Sequence, residues 1–328
     1  MLIDCHTHIG GLGFGGTGCR ISEPTLRRIS FRLMIRKLGL TAEDLATRAD
    51  QRIRELCDQH LSTAREVTHM VLFAHDWIHD DAGRPLKRIS QLHSPNDYVL
   101  KIAAADPRVL VAASIHPYRP DALDELTRCL EAGAVALKWL PNSQNIDPGD
   151  RRCRPLYRLM AERGIPLIAH TGGELTVTVL SRRLSDPRSL IAPLEEGVPV
   201  IAAHCGGNSL FDTDHVRVFA RMARRWPNLY GDTAALCCSP IRARTLAYVL
   251  REEGLLPRLI HGSDYPIPAT PWSLIGRVPF GRLWELNKVA NPLDLDVALK
   301  RAAGVPQQVF DNGNRLFGRR LKGAGAAS

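Results

Sequence analysis

The chain of 328 residues is poor in lysine and aromatic side chains and has no long apolar run. Of its 43 basic side chains, 36 are Arg, and aromatic residues make up 6%. No run of five basic residues occurs; the densest groups are Arg151-Arg152-Cys153-Arg154 and Arg319-Arg320-Leu321-Lys322. A net charge of +9 dispersed in this way reads as a solvated surface. A nucleic-acid binder concentrates its charge on one face or arm, so no nucleic-acid partner is expected. An anionic small-molecule substrate remains compatible with the charge. No window reaches the roughly 18 apolar residues that a membrane-spanning helix needs, so no membrane partner is expected either. Met1-Leu2-Ile3-Asp4-Cys5-His6 lacks the basic and apolar regions of a secretory signal. The eight cysteines form no C-x-x-C pair and suggest no disulfide framework. These absences together predict a cytoplasmic protein in a reducing compartment.

What is present is an ordinary globular composition, 45% hydrophobic and 23% charged. Eight short apolar runs recur: 2–5, 68–73, 109–114, 134–137, 166–169, 200–203, 229–231 and 259–260. Runs of this kind fit strands buried on both faces of a parallel sheet. Helical patterns lie between them. Thr41-Ala42-Glu43-Asp44 resembles a capping box and opens a periodic segment reaching Ala64. Segments 121–132, 155–163 and 240–253 each end at a glycine suited to close a helix, and 214–225 stops before Pro227. The alternation predicts a (β/α)8 TIM barrel as a single domain over residues 1–321. A helical insertion is expected after strand 1, over about residues 10–66. It opens on the glycine-rich stretch Gly10-Gly11-Leu12-Gly13-Phe14-Gly15-Gly16, which serves either as a lid hinge or as the entry to an outer decoration. Residues 265–300 are expected to form a loop-helix cap, and the tail 322–328 to be disordered.

The residues that follow the strands are of metal-ligand type. Strand 1 ends in Asp4-Cys5-His6-Thr7-His8, where the i, i+2 spacing puts both imidazoles on one side of an extended chain. A lone H-x-H is weak evidence for metal. Its recurrence is not: Lys138 follows strand 4, His170 strand 5, His204 strand 6 and Asp264 strand 8. In a barrel these positions converge on one mouth, where active sites sit. His and carboxylate ligands suit a divalent metal, with zinc the expected ion. Trp139, Asn142 and Gln144 follow strand 4 and are expected to contact substrate. His75, Asp76, His116, Glu174, Asn208, Asp232 and Tyr265 also follow strands, and packing serves as well as substrate contact for each. Cys205 is expected to point away from the mouth, and His261 to make a supporting hydrogen bond.

The ordered motifs His6-Thr7-His8, Lys138-Trp139-Leu140-Pro141, Ile168-Ala169-His170-Thr171-Gly172, Ala203-His204-Cys205-Gly206-Gly207 and Gly262-Ser263-Asp264-Tyr265-Pro266 resemble those of the amidohydrolase superfamily, in its amidohydrolase-related branch. The resemblance implies that His6, His8 and Asp264 hold the first metal, with His170 as the strand-5 ligand. It implies that His204 either holds a second ion or acts as a general acid/base. Asp264 would accept the proton of an activated water. Lys138 would be carbamylated between two ions or, in one-metal relatives, would present a free ammonium to the substrate. The implied activity is hydrolysis of an ester, lactone or amide in a small molecule. The alternative is zinc-dependent decarboxylation of an aromatic or unsaturated carboxylate, which the same branch contains. A homo-oligomer is a further implication.

Overall fold

The computed structural model describes residues 1–174, 176–207 and 214–324. Its centre is a sheet of eight parallel strands: β1 (Leu2–His8), β2 (Val67–Phe73), β3 (Val109–Ala113), β4 (Ala134–Trp139), β5 (Leu167–His170), β6 (Val200–Ala203), β7 (Leu229–Asp232) and β8 (Leu259–Ile260). They pair in chain order from β1 to β8. The segment after β8 returns to β1: the amide of Cys5 donates to the His261 carbonyl at 3.0 Å, and that of Asp264 to the His6 carbonyl at 2.9 Å. The ends of the sheet thus meet and give the TIM barrel that the alternation predicts.

Two apolar layers hold it. Ile3, Cys5, Val71, Phe73, Ala136, Ile168, Ile201 and Ile260 fill the barrel, joined at one end by Phe317 from the helix Gly313–Ala324. Leu72, Val111, Leu137, Trp139, Leu167 and Val200 lie in the larger layer between strands and helices, with Leu126, Tyr157 and Phe219. Strands buried on both faces are what continuous apolar runs specify.

Most helices lie where the sequence puts them, with two corrections. The capping box at Thr41 forms, its hydroxyl accepting from the Asp44 amide, but the expected single helix to Ala64 is two, Ala42–Thr47 and Ala49–Thr63. Arg48 breaks it at φ −151°. The expected helix 240–253 stops at Val249, and turns carry the chain to Gly254. Four α-helices lie between β1 and β2: Ala42–Thr47 and Ala49–Thr63, preceded by Glu23–Leu26 and Ile29–Lys37. A short antiparallel ribbon ties Arg20–Ile21 to Leu92–His93 across this stretch. Residues 322–324 of the expected disordered tail belong to the last helix; residues 325–328 lie outside the described residues. No helix among the described residues is long and apolar enough to cross a membrane.

Candidate metal centre and active site

The first strand aims its histidines by a break in its own register. Asp4 pairs with Met70 and Thr7 with Leu72, so β1 carries one residue more than β2 across this interval. Such a bulge reverses the alternation of faces and re-aims side chains. Ile3 and Cys5 face the barrel interior below the bulge, and His6 and His8 share the mouth above it.

At the mouth, three candidate ligand atoms form a tight triangle. His6 Nε2 lies 3.1 Å from His8 Nε2 and 3.1 Å from Asp264 Oδ1, and His8 Nε2 is 3.1 Å from that same oxygen. A divalent ion with bonds of about 2.1 Å separates neighbouring ligands by about 3.0–3.4 Å, so the triangle has the dimensions of one face of a coordination shell. His204 joins from β6: one ligand atom each from His6, His204 and Asp264 lies within 4.8 Å of the others.

Hydrogen bonds fix which ring nitrogens are free to ligate. His6 Nδ1 donates to Asp232 Oδ2 at 2.7 Å, which leaves the lone pair of Nε2 facing the cluster. His204 Nδ1 donates to the Ala234 carbonyl at 2.9 Å and frees its Nε2 likewise. The other oxygen of Asp232 accepts from the amides of His204 at 2.8 Å and Ala234 at 3.1 Å. One buried carboxylate thereby orients two site histidines, as carboxylates beneath metal ligands commonly do. Burial opposes ionisation of Asp264, but His6 and His8 beside it hold its carboxyl well below the usual carboxylate range. Burial likewise keeps His204 neutral, far below the ordinary histidine value.

His170 from β5 stacks edge-on to His204 with ring centroids 4.9 Å apart. Its Nδ1 faces Glu174 at 3.5 Å, and its Nε2 is buried with no hydrogen-bond partner among the described residues. An orphaned buried nitrogen beside two other site groups suits a ligand position. Lys138 from β4 puts Nζ 3.4 Å from His6 Nε2 and 4.7 Å from the Phe73 ring centroid. Burial pulls its ammonium down to about 8, against the opposing pull of Asp232, Asp264 and Glu174.

The backbone at two of these residues is strained. His204 sits at φ 62° and Asp264 at φ 70°, a left-handed region uncommon for non-glycine residues. Each costs about 1–3 kcal/mol and persists only where neighbours enforce it. Here the Asp264 amide is tied to His6, and that of His204 to Asp232. Gly262 permits the approach of this loop to β1, since a Cβ there would stand 2.7 Å from the His6 Cβ. Below, the buried Lys300 ammonium bonds both the Gly262 carbonyl, at 2.5 Å, and Asp296.

All six expected ligands, His6, His8, Lys138, His170, His204 and Asp264, therefore face one cavity. The three expected substrate contacts do not. Strand alternation turns Trp139 opposite to Lys138, toward the helices, where its indole N–H donates to the Ile115 carbonyl at 2.8 Å. Asn142 bonds Ser185 at 3.0 Å, and Gln144 bonds the backbone of Leu140 and Asp76; both are buried in loop packing. Asp76 and His116 are tied together in that same packing, Asp76 accepting from the His116 amide at 2.8 Å. Tyr265 is buried against His60. His75 and Glu174 do line the cavity, and Asn208 lies outside the described residues. Cys205 turns away from the mouth, its thiol on the Asp232 carbonyl, and the buried His261 ring makes no side-chain hydrogen bond among the described residues, its support to the site coming through its carbonyl on the Cys5 amide. Asp232, a carboxylate at the last residue of β7, positions His6 and His204, a role that its place after a strand does not distinguish from packing or substrate contact.

Much of the rest of the cavity lining comes from residues 9–53. The cavity volume is about 130 Å³, and Leu12, Phe31, Met34, Ile35, Leu45 and Ile53 wall it above the histidines. The glycine-rich stretch passes over the mouth under the hold of Asp50, whose carboxylate accepts from the amides of Leu12 at 2.7 Å, Gly13 at 3.2 Å and Phe14 at 3.1 Å, and from the Thr17 hydroxyl. A Cβ on Gly11 would collide with that carboxylate.

The profile of the family described as Amidohydrolase matches residues 3–302. Among curated proteins, none matches the chain. An uncharacterized TIM-barrel protein from Bordetella bronchiseptica superposes with a TM-score of 0.63 at 19% identity, covering 97% of this chain and 99% of that one. A probable 2-pyrone-4,6-dicarboxylic acid hydrolase from Acinetobacter baumannii, solved with citric acid bound, gives 0.58 at 16% identity over 97% and 99%. The 5-carboxyvanillate decarboxylase LigW from Sphingomonas paucimobilis gives 0.52 at 15% identity over 96% and 98%. At these identities the likeness is one of fold.

Proposed function

Because the chain belongs to the amidohydrolase family, we propose that it is a metal-dependent hydrolase that cleaves an ester, lactone or amide bond in a small molecule. The observation that carries this reading is the triangle of His6 Nε2, His8 Nε2 and Asp264 Oδ1, each 3.1 Å from the others at the mouth of the barrel. These three would hold the first divalent ion, with zinc our choice, and His170 and His204 turn free nitrogens toward the same space. A bound divalent ion lowers the pKa of its water to about 7 and polarises a substrate carbonyl.

The protein's own groups supply the rest. Ionised Asp264 takes up a proton from the attacking water and returns it to the leaving group. His6 is locked by Asp232 in the tautomer whose Nε2 faces inward. The free Nε2 of His204 is fitted either to hold a second ion or to accept a proton. Lys138, lowered to about 8, has an uncharged amine within reach near neutral pH, the form that would add carbon dioxide and release a proton to give a carbamate able to serve as a ligand.

The test is turnover of a panel of esters, lactones and amides by zinc-reconstituted protein in isotopically labelled water. Label in the acid product supports hydrolysis, whereas carbon dioxide release without label identifies a decarboxylase. Asp264→Asn is expected to lower kcat by about 10²–10⁴-fold with unchanged circular dichroism. Near-normal turnover by this variant sinks the assignment of Asp264.

A further inference from the structure

We propose that the chamber above the histidines selects substrates with an uncharged, extended apolar body, an alkyl, acyl or aryl chain whose polar head reaches the floor. This inference rests on the hydrolase reading for the head and on the chamber walls for the body.

The walls divide sharply. The floor is polar: His6, His8, Lys138, His170, His204 and Asp264 all face it. Above it, Leu12, Phe31, Met34, Ile35, Leu45 and Ile53 present apolar side chains, while Ser94, Glu174 and Thr176 add polar groups to the lining. Phe31 is buried, whereas Met34, Ile35, Leu45 and Ile53 keep partial exposure, so apolar surface there remains to be covered. The helix Ile29–Lys37 turns Phe31, Met34 and Ile35 inward at helical spacing while Arg32, Arg36 and Lys37 stay outside.

The charge inventory excludes a polyanion in the upper chamber. Arg20 and Lys138 are the cations among the described residues that line it. Arg20 extends its guanidinium to the Lys87 carbonyl at 2.6 Å, at the rim, and Lys138 belongs to the floor. Much of the arginine surplus sits in surface pairs such as Arg27 with Glu23 and Arg128 with Glu125. Burying an unpaired carboxylate against Met34 or Leu45 is costly, whereas burying a methylene there is favourable.

The experiment is calorimetric binding of alkyl hydroxamates, from acetohydroxamate to dodecanohydroxamate, to the zinc-loaded protein, alongside straight-chain alkanols of matched length to metal-free protein. Affinity is expected to rise about two- to fourfold per added methylene in both series until the chain reaches the rim. Leu45→Trp is expected to weaken the longest tight binder at least about tenfold and to shift the preferred length downward. Affinity flat with chain length in the hydroxamate series overturns the inference and leaves the hydrolase reading intact. The same holds for a Leu45→Trp protein with unaltered length dependence. Length dependence in both series without turnover of any ester, lactone or amide supports the chamber and contradicts hydrolysis.

Discussion

The floor and the roof of the cavity are built by different means. Every side chain of the floor stands at or just beyond the end of a barrel strand, and its backbone is bonded to the neighbouring strand or loop. The roof spans residues 10–53, and at its entry it hangs on one carboxylate, Asp50, rather than on a strand ladder. The candidate ligand atoms 3.1 Å apart stand where backbone hydrogen bonds tie the chain to its neighbours. Recognition of an apolar body asks only for area, and a less tightly bonded segment can supply that. The contrast suggests that reaction type and substrate choice reside in separable parts of this molecule.

The contrast can be sharpened from both sides. On the floor, Asp232→Asn keeps the shape but removes the charge that sets the His6 tautomer. It is expected to weaken metal affinity about 10–100-fold in competition with a chelating dye while the protein stays folded. Unchanged affinity would detach Asp232 from the metal site. On the roof, Asp50→Asn turns an acceptor of several N–H and O–H donors into a group that is partly a donor. The expected cost is about 1–3 kcal/mol, confined to the entry loop. Amide exchange over residues 10–19 should quicken while β1 to β8 stay protected, and metal affinity should not move. Equal quickening in the strands would mean that roof and floor unfold as one unit and would break the distinction.

Legibility in the sequence follows the same division. The eight strands are readable because strands buried on both faces leave uninterrupted apolar runs, and a ligand-type residue then follows each of five of them. Alternation, pursued one residue further, would have turned Trp139 toward the helices as soon as Lys138 was turned inward. The bulge between Asp4 and Thr7 leaves no composition signal, because it is a property of the pairing with β2. Asp232 reads as one more mouth residue until its distances to His6 and His204 are known. Over residues 10–66, helical periodicity shows that an apolar face exists on Ile29–Lys37 but not what it covers. The covering depends on where the Asp50 clamp folds the segment, a contact that spans more than thirty positions. Asn142 and Gln144 differ from expectation for a related reason: polar residues after a strand serve loop packing as readily as ligands, and only their buried partners decide.

The most direct measurement is metal content by elemental mass spectrometry, on protein purified without chelator and again after zinc reconstitution, for the wild type and for His6→Ala/His8→Ala. The expected result is at least one divalent ion per chain in the wild type, a second if Lys138 carries a carbamate, and loss of the ion in the double variant with circular dichroism unchanged. Equal metal content in the two proteins, or a wild type that turns over substrate after complete metal removal, would contradict a metal centre built on His6, His8 and Asp264.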